Sequence, residues 1–185
     1  MLVLASQSPR RREILARAGI PFMARTGREV DETPRGGETP EAYVRRLARE
    51  KAESVEYCLD EVVLGADTTV AVGSLILGKP ADSADAARML RSLSGRAHDV
   101  MTGVCLRSSR GLVEGCEVTR VWFSELADAE IEEYVASGEP LDKAGAYGIQ
   151  GLASKFIPRI EGCYFNVVGL PVALVVQLLS TIRNI

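Results

Sequence analysis

The first fifteen residues constrain the fold more than any other stretch of the chain. Residues 2–5 have the apolar composition of a short buried strand, residues 6–8 form a polar loop, and a helix is expected from Pro9 onward. Ser8 is a favourable N-cap residue, and Pro9 is a favourable first residue of a helix. The sequence therefore predicts a strand, a tight polar loop and a helix in immediate succession.

Three arginines occupy the first turn of this helix, at residues 10–12. Acidic residues are normally favoured there, because the helix dipole and four backbone N–H groups make this end positive. Two other predicted helices follow that rule, with Glu41 and Asp85 in their first turns. A bound phosphate would compensate the arginines, while a solvated basic turn, or pairing with acids elsewhere, is the alternative. At 100° per residue, Arg11 falls near the centre of the inner face that Ile14 marks.

Composition limits the classes of protein to consider. The chain has 185 residues, 46% of them hydrophobic and 25% charged, which predicts one globular domain over residues 1–185 with room for two small lobes. A formal net charge of −3 argues against a nucleic-acid partner. Four cysteines without a CxxC pair disfavour zinc and favour a reduced, cytoplasmic setting. The most apolar run, residues 167–179, is too short for a membrane span, and we find no signal peptide, so no membrane partner is expected.

Hydrophobic periodicity and turn residues predict the remaining elements. A polar loop at residues 26–39 includes Glu32, and binding residues often lie on loops of this kind. Strands are expected at residues 21–25, 61–72, 75–77, 98–107, 112–124, 156–160 and 164–168, and helices at residues 40–57, 83–93 and 128–135 and from Pro171 onward.

Two charged residues interrupt otherwise apolar patterns. Lys51 falls within the apolar stripe of the helix predicted at residues 40–57, one turn from Leu47. A lysine there must snorkel, pair with an acid or face a cleft, so a functional role and a structural ion pair both stay open. Asp67 interrupts the strand predicted at residues 61–72, where a carboxylate is costly unless it is paired, hydrogen-bonded or bound to a metal. A turn aspartate at the end of the strand is the alternative interpretation.

Two glycine-containing segments differ in what they predict. Residues 73–80 nearly match GxxxxGK[ST], but Pro80 stands where a P-loop needs a hydroxyl, and we expect no helix to begin at Lys79. Lys79 can still reach a phosphate as a point charge. Residues 145–151 hold three glycines, which indicate unusual backbone angles, close approach of a ligand, or an ordinary connection. Gln150 in this segment offers a donor and an acceptor to the edge of a base.

The available side chains suit phosphate chemistry better than nucleophilic catalysis. His98 is the only histidine and no GxSxG occurs, so a Ser–His–Asp or Cys–His site has little support. Cations and a divalent metal would neutralise a polyphosphate, and one carboxylate would activate water. The candidate cations are Arg10, Arg11, Lys51, Lys79 and Lys143, and the candidate carboxylates are Glu32, Asp67 and Asp142.

Several short motifs stand in the order and spacing of one protein family. They are SQSPRR at residues 6–11, GADTT at 65–69, GKP at 78–80, SG…H…TG at 94–103, DKAGAYGIQG at 142–151 and VGLP at 168–171. By these motifs essentially the whole chain resembles the Maf family of nucleotide pyrophosphatases, which is related in fold to the inosine-triphosphate pyrophosphatases. Gln7 departs from the pattern, because many members carry Gly or Ala there.

The resemblance implies an α/β fold, with a mixed twisted sheet, flanking helices and two lobes around a central cleft. It also implies hydrolysis of a nucleoside triphosphate to the monophosphate and pyrophosphate with a divalent cation, Mg or Mn. The segment around Gln150 looks like that of the subgroup acting on dTTP and UTP. Family members are often homodimers and have been linked with restraint of cell division.

The resemblance also assigns roles to individual residues. Asp67 matches the proton acceptor, and Glu32 matches an acidic partner linked to the metal, whose complete ligand set is unknown. Phosphate-binding positions match Ser6, Arg10, Arg11, Lys51 and Lys79, and positions tied to base choice match Arg10, Thr68 and Gln150. The resulting set is Asp67, Glu32, Lys51 and Lys79 for catalysis, and Ser6, Ser8, Arg10, Arg11, Thr68, Lys143 and Gln150 for substrate binding.

Two other functions remain open at this point. The chain is either a dTTP/UTP pyrophosphatase, a nucleotide-binding regulator of division with little turnover, or an enzyme with the same chemistry on 7-methyl-GTP or another base. The intact set of carboxylates argues against a pure binding protein, since binding alone needs no general base.

Overall fold

The computed structural model describes residues 1–184. Its strands are β1 Leu2–Leu4, β2 Phe22–Ala24, β3 Val62–Val72, β4 Leu75–Leu77, β5 Ala97–Ser108, β6 Gly111–Trp122 and β7 Arg159–Glu161. Its α-helices are α1 Pro9–Arg17, α2 Pro40–Glu53, α3 Ser83–Leu93, α4 Asp128–Ala136, α5 Tyr164–Val168 and α6 Val172–Arg183. Short 3₁₀-helices cover Glu139–Asp142, Ala144–Ala146 and Leu152–Phe156.

The strands form one mixed sheet with the order β2-β1-β3-β5-β6-β7, and β4 pairs with β3. The three residues of β1 are all buried, as expected for a strand covered on both faces. β1 runs parallel to β2 and β3, with Leu2 opposite Phe22 on one side and Val62 on the other. β4 and β7 pair antiparallel with β3 and β6. This mixed sheet with helices confirms the fold class that the resemblance implied.

The chain divides into two compact units. The first unit contains Met1–Thr68, Thr102–Glu117 and the chain from Gly169 onward. The second unit contains Thr69–Met101 and Val118–Val168. The single domain over residues 1–185 and the central cleft stay predictions.

In the first unit, α2 buries one face against the sheet. Val44, Leu47 and Ala48 are fully buried, in agreement with the predicted apolar stripe. The helix ends at Glu53, four residues before the predicted end, and Ser54 is its C-cap residue. There the N–H of Arg28 donates to Ser54 O at 3.2 Å, so a tertiary contact replaces the continuation of the helix.

In the second unit, α3 and α4 supply the core. Both helices keep an apolar face toward the interior, as their periodicity predicts, and the aromatic side chains of later segments pack against it. The buried members are Ala86, Met89, Leu90 and Leu93 of α3, Ile131 and Tyr134 of α4, and Phe123, Tyr147 and Phe156.

The predicted strand pair at residues 156–160 and 164–168 is wrong. A strand does occur nearby, but β7 pairs with β6, with Glu161 opposite Arg120. Residues 164–168 form α5 instead, although their aromatic and β-branched composition favours a strand. The buried Asn166 side chain decides the conformation, because its Nδ2 donates to Val100 O and Thr119 Oγ1, both at 2.9 Å. Tertiary hydrogen bonds therefore override local propensity in this segment.

Within residues 1–184, no helix has both the length and the apolar composition needed to cross a membrane. The apolar C-terminal run forms α6, which begins directly after Pro171, as predicted.

Candidate active site

The loop between β1 and α1 is closed by the Ser6 hydroxyl and leads directly into the arginine-rich first turn of α1. Ser8 occupies the N-cap position, and its backbone N–H donates to Ser6 Oγ at 3.1 Å. By contrast, the side chain of Thr39 caps α2 and that of Asp82 caps α3. The first turn of α1 thus differs from its counterparts in charge, as the sequence predicted. Among the described residues the Ser8 side chain makes no capping hydrogen bond, so the capping role that its residue type favoured is not observed.

Two of the three arginines turn toward the protein and one toward solvent. Arg10 and Arg11 are half-buried, whereas Arg12 is exposed. Arg11 donates to the backbone carbonyls of Ala66 at 2.8 Å and Gly169 at 2.9 Å. The predicted position of Arg11 on the inner face of the helix is therefore confirmed, while phosphate binding by these residues stays a prediction.

The ammonium group of Lys51 joins two carboxylates. Lys51 Nζ lies 2.6 Å from Asp67 Oδ1 and 2.5 Å from Glu32 Oε1. Asp67 is buried, with 7% of its surface exposed, whereas the Glu32 side chain is 52% exposed. The arrangement places one buried and one accessible carboxylate on the same cation. Of the two interpretations left open for Lys51, the ion pair is observed, and this pair is formed with the predicted general base.

Two glycines of the sheet allow α2 to place Lys51 over Asp67. Gly65 lies two residues before Asp67 on β3 and therefore faces the same side of the sheet. A Cβ atom on Gly65 would clash with the carbonyl of Ala48 and lie 2.6 Å from the backbone nitrogen of Ala52. On β5, a Cβ atom on Gly103 would likewise clash with the carbonyl of Val44. The backbone of α2 thus approaches the sheet more closely than any larger residue would permit.

Tyr43 anchors the loop that carries Glu32. Its hydroxyl donates to Glu32 O at 2.9 Å, and the side chain is buried. Burial, together with the negative charges of Asp67 and Glu32, raises the pKa of Tyr43 to about 12, so the hydroxyl stays protonated as a donor. Our sequence reasoning missed this residue. The signal was its spacing of four from Leu47 and eight from Lys51, which puts all three on one face of α2.

The other three predicted site residues belong to the second unit. Lys79 is exposed, and so is Gln150. Lys143 Nζ donates to Glu139 O at 2.7 Å and to Asp142 Oδ1 at 2.6 Å. These contacts tie Lys143 to its own segment, and their relation to a substrate stays a prediction.

The glycine-rich segment at residues 145–151 is packed by side chains of its own unit. Gly145 has φ +68°, and a Cβ atom there would lie 2.8 Å from the Val70 side chain. A Cβ atom on Gly151 would clash with the carboxylate of Glu139, which accepts hydrogen bonds from Tyr134 Oη and Leu152 N. These glycines are explained by a turn and by close packing within the protein, without requiring a ligand.

Comparison with known proteins identifies the family. A family model described as Maf-like protein matches residues 1–182. The chain belongs to the Maf family. The match extends over both units of the Maf fold and includes every motif quoted above.

Three relatives of this Maf protein, each about half identical to it, carry the same name. A protein of Koribacter versatilis named dTTP/UTP pyrophosphatase is 50% identical over 179 residues, covering 96% of this chain and 92% of that protein. A protein of Shewanella oneidensis with the same name is 51% identical over 187 residues, covering 97% and 96% of the two chains. One of Hahella chejuensis, again so named, is 53% identical over 187 residues, covering 97% and 90%.

Two carboxylates of this Maf protein contact the same positive charge. Within residues 1–184, no group of three or more His, Cys, Asp or Glu side chains is placed to hold a metal ion. Glu32 and Asp67 do converge on one positive charge, the Lys51 ammonium. Mg²⁺ in proteins is commonly bound by one or two carboxylates together with phosphates and water, so two carboxylates suffice for that mode of binding.

The single histidine of this Maf protein is part of a buried aromatic cluster. His98 Nε2 lies 2.8 Å from the Tyr147 hydroxyl, and the ring packs edge-on against Phe123 and Tyr147. Among the described residues, His98 Nδ1 has no hydrogen-bond partner. Burial lowers the pKa of His98 to about 4. A neutral, fully packed imidazole of this kind does not favour a nucleophilic triad, in agreement with the sequence analysis.

This burial predicts a pH dependence of stability. Between pH 6.5 and pH 4 the unfolded chain protonates His98 while the folded protein does not, so the free energy of unfolding falls as the pH falls through that window. A shift from 6.5 to about 4 corresponds to a loss of about 3 kcal/mol. Denaturant unfolding at several pH values measures the free energy of unfolding of the wild type and of His98→Gln, which lacks the titrating group. Parallel pH profiles for the two proteins would contradict the prediction.

Proposed function

We propose that this Maf protein hydrolyses dTTP and UTP to the nucleoside monophosphate and pyrophosphate, a reaction that removes unwanted pyrimidine nucleotides from the pool. The observation that carries the proposal is the buried Asp67 held by Lys51 in the same unit as the arginine-rich start of α1. The names of relatives at about 50% identity over nearly the whole chain support the choice of substrates.

In this proposal Asp67 is the general base. Lys51 contacts Asp67 Oδ1, so Oδ2 is the oxygen assigned to the attacking water. Water loses a proton to this carboxylate, an oxygen–phosphorus bond forms, the anhydride bond between the α- and β-phosphates breaks, and pyrophosphate leaves. A positioned general base of this kind contributes about 10²–10⁴-fold to a reaction rate.

The triphosphate is assigned to the first turn of α1 and to Lys51. The backbone N–H groups and dipole of a helix N-terminus favour phosphate. Ser6, Ser8 and Arg10 lie at this end of α1, and Arg11 adds its positive charge. Lys79, Lys143 and Gln150 are assigned to the same substrate by the family motifs they occupy.

A divalent cation, Mg or Mn, would be held by Glu32, beside the Asp67 carboxylate, together with phosphate oxygens. When bound, such a cation neutralises developing negative charge on the phosphates. The Lys51 ammonium, which joins the same two carboxylates in the protein alone, keeps them close together before substrate binds. The family resemblance supports a homodimeric state, and the four cysteines without a CxxC pair support a cytoplasmic location.

We propose that the side-chain amide of Gln150 recognises the nucleotide base by hydrogen bonds to the edge of the base. An amide offers one donor and one acceptor, and Gln150→Glu replaces the donor with an acceptor. We expect this change to reduce kcat/KM for dTTP and UTP by about 10-fold or more, since a mismatched polar group in a base site costs at least 1–3 kcal/mol.

The control for this change is Gln177→Glu on α6, where the side chain is exposed. A panel of dTTP, UTP, GTP and 7-methyl-GTP measures the preference for each variant. An unchanged preference in Gln150→Glu would remove Gln150 from base recognition.

A time course of pyrophosphate release separates catalysis from regulation. We expect multiple turnovers of dTTP per protein molecule within minutes. Release of no more than one equivalent over several hours would instead identify a nucleotide-binding regulator with little turnover.

A further inference from the structure

Arg11 makes more contacts with the protein than a phosphate-binding arginine requires. A guanidinium group has five N–H donors. In Arg11, Nε donates to Gly169 O at 2.9 Å and Nη1 donates to Ala66 O at 2.8 Å. Nη1 also lies 3.4 Å from Ser6 Oγ, and Nη2 lies 3.3 Å from Thr68 Oγ1. Four of the five donors are therefore directed at oxygen atoms of the protein.

These acceptors bracket the proposed general base. Ala66 and Thr68 are the residues on either side of Asp67 in β3, and one guanidinium group contacts both of them. Burial lowers the pKa of Arg11, and the negative charge of Asp67 opposes this shift by favouring the protonated guanidinium. Because the planar guanidinium group of Arg11 contacts both Ala66 and Thr68, it fixes the orientation of the Asp67 side chain relative to helix α1.

The Thr68 hydroxyl connects the hydrogen bonds of Arg11, which we call the Arg11 network, to Thr102 and Gly169 in two other sequence motifs. Thr68 Oγ1 lies 2.9 Å from Thr102 Oγ1 and 3.3 Å from Gly169 O. Thr102 is completely buried on β5. Gly169 has φ +128°, a conformation that side chains rarely adopt, and it directs its carbonyl to both Arg11 and Thr68. The TG motif at residues 102–103 and the VGLP motif at residues 168–171 thereby meet at one hydroxyl and one guanidinium group.

We propose that Arg11 is a positioning residue, which with Thr102 and the Gly169 carbonyl holds Asp67 and Thr68 in the orientation needed for turnover, and that the phosphate contacts of the first turn of α1 are made by Arg10. This inference rests on the proposed function for its kinetic readout. A phosphate contact by Nε or Nη1 of Arg11 would require that nitrogen to release the carbonyl oxygen of Gly169 or Ala66, to which it now donates.

The test compares Arg11→Ala and Arg11→Lys with the matched neighbour Arg10→Ala. A positioning role predicts that both Arg11 variants lose about 10²-fold in kcat, as expected for a misplaced catalytic group, with KM for dTTP changed by less than about 3-fold. Lysine keeps the positive charge but lacks the planar guanidinium group and its fixed N–H donors, so kcat of Arg11→Lys should stay as low as that of Arg11→Ala. Arg10→Ala should raise KM and weaken inhibition by pyrophosphate. The opposite pattern, in which Arg11→Ala weakens pyrophosphate inhibition and Arg11→Lys restores it, would overturn the proposal.

A second measurement does not depend on turnover. Amide hydrogen exchange of the peptide covering residues 64–70 should become faster in Arg11→Lys and in Thr102→Val, and stay unchanged in Arg10→Ala. Unchanged exchange in both network variants would overturn the positioning role, even if the wild type failed to hydrolyse dTTP. Absence of wild-type turnover would refute the proposed function alone.

Discussion

Replacement of Asp67 by asparagine is expected to lower kcat for dTTP by about 10²–10⁴-fold, the range that a positioned general base contributes. The amide keeps the shape of the side chain and can still accept a hydrogen bond from Lys51. It cannot take a proton from water. KM should change much less than kcat, because Lys51 and the first turn of α1 remain in place. Initial rates over a range of dTTP concentrations measure both constants.

Asp60→Asn is the matched control, since Asp60 is an exposed aspartate in the same unit. We expect this variant to keep wild-type kcat. Thermal unfolding of both variants separates a catalytic loss from loss of the folded protein. Wild-type turnover in folded Asp67→Asn would exclude Asp67 as the base.

Gly65→Ala is expected to impair both stability and activity through the position of α2. The new Cβ atom would clash with the carbonyl of Ala48, and backbone atoms cannot move aside as a flexible side chain can. Overpacking of this kind costs about 1–3 kcal/mol in the free energy of unfolding. The same displacement moves Lys51 away from Asp67, and a misplacement of about 1 Å can reduce kcat/KM by about 10²-fold.

Gly36→Ala is the control for this substitution, because a Cβ atom at Gly36 meets nothing within 4 Å. Denaturant unfolding and dTTP kinetics on both variants measure the two effects. Gly65→Ala with wild-type stability and kcat/KM would show that close approach of α2 is not needed to position Lys51.

The N-terminal part of the site was predictable because its signals are local. The three arginines of α1 are unusual because the helix dipole favours acidic residues in a first turn. The burial of Arg11 follows from the helical period. Lys51 and Asp67 were each recognised as a charge within an apolar pattern. The sequence could not show that Lys51 binds Asp67, because the pairing depends on how closely α2 approaches β3 at Gly65.

Contacts between distant segments explain what was missed. Residues 164–168 have the composition of a strand, but the hydrogen bonds of Asn166 to Val100 and Thr119 make them a helix. The part played by Thr102 depends on the meeting of separate chain segments at the Thr68 hydroxyl. No local pattern encodes such a meeting, although the motifs that contain these residues were visible in the sequence.

Identification of the products of dTTP hydrolysis tests the central claim most directly. Wild-type protein with Mg²⁺ should convert dTTP to dTMP and pyrophosphate in equal amounts, as followed by ³¹P NMR. Formation of dTDP and inorganic phosphate, or dTTP left unchanged under conditions where the protein is folded, would contradict the account.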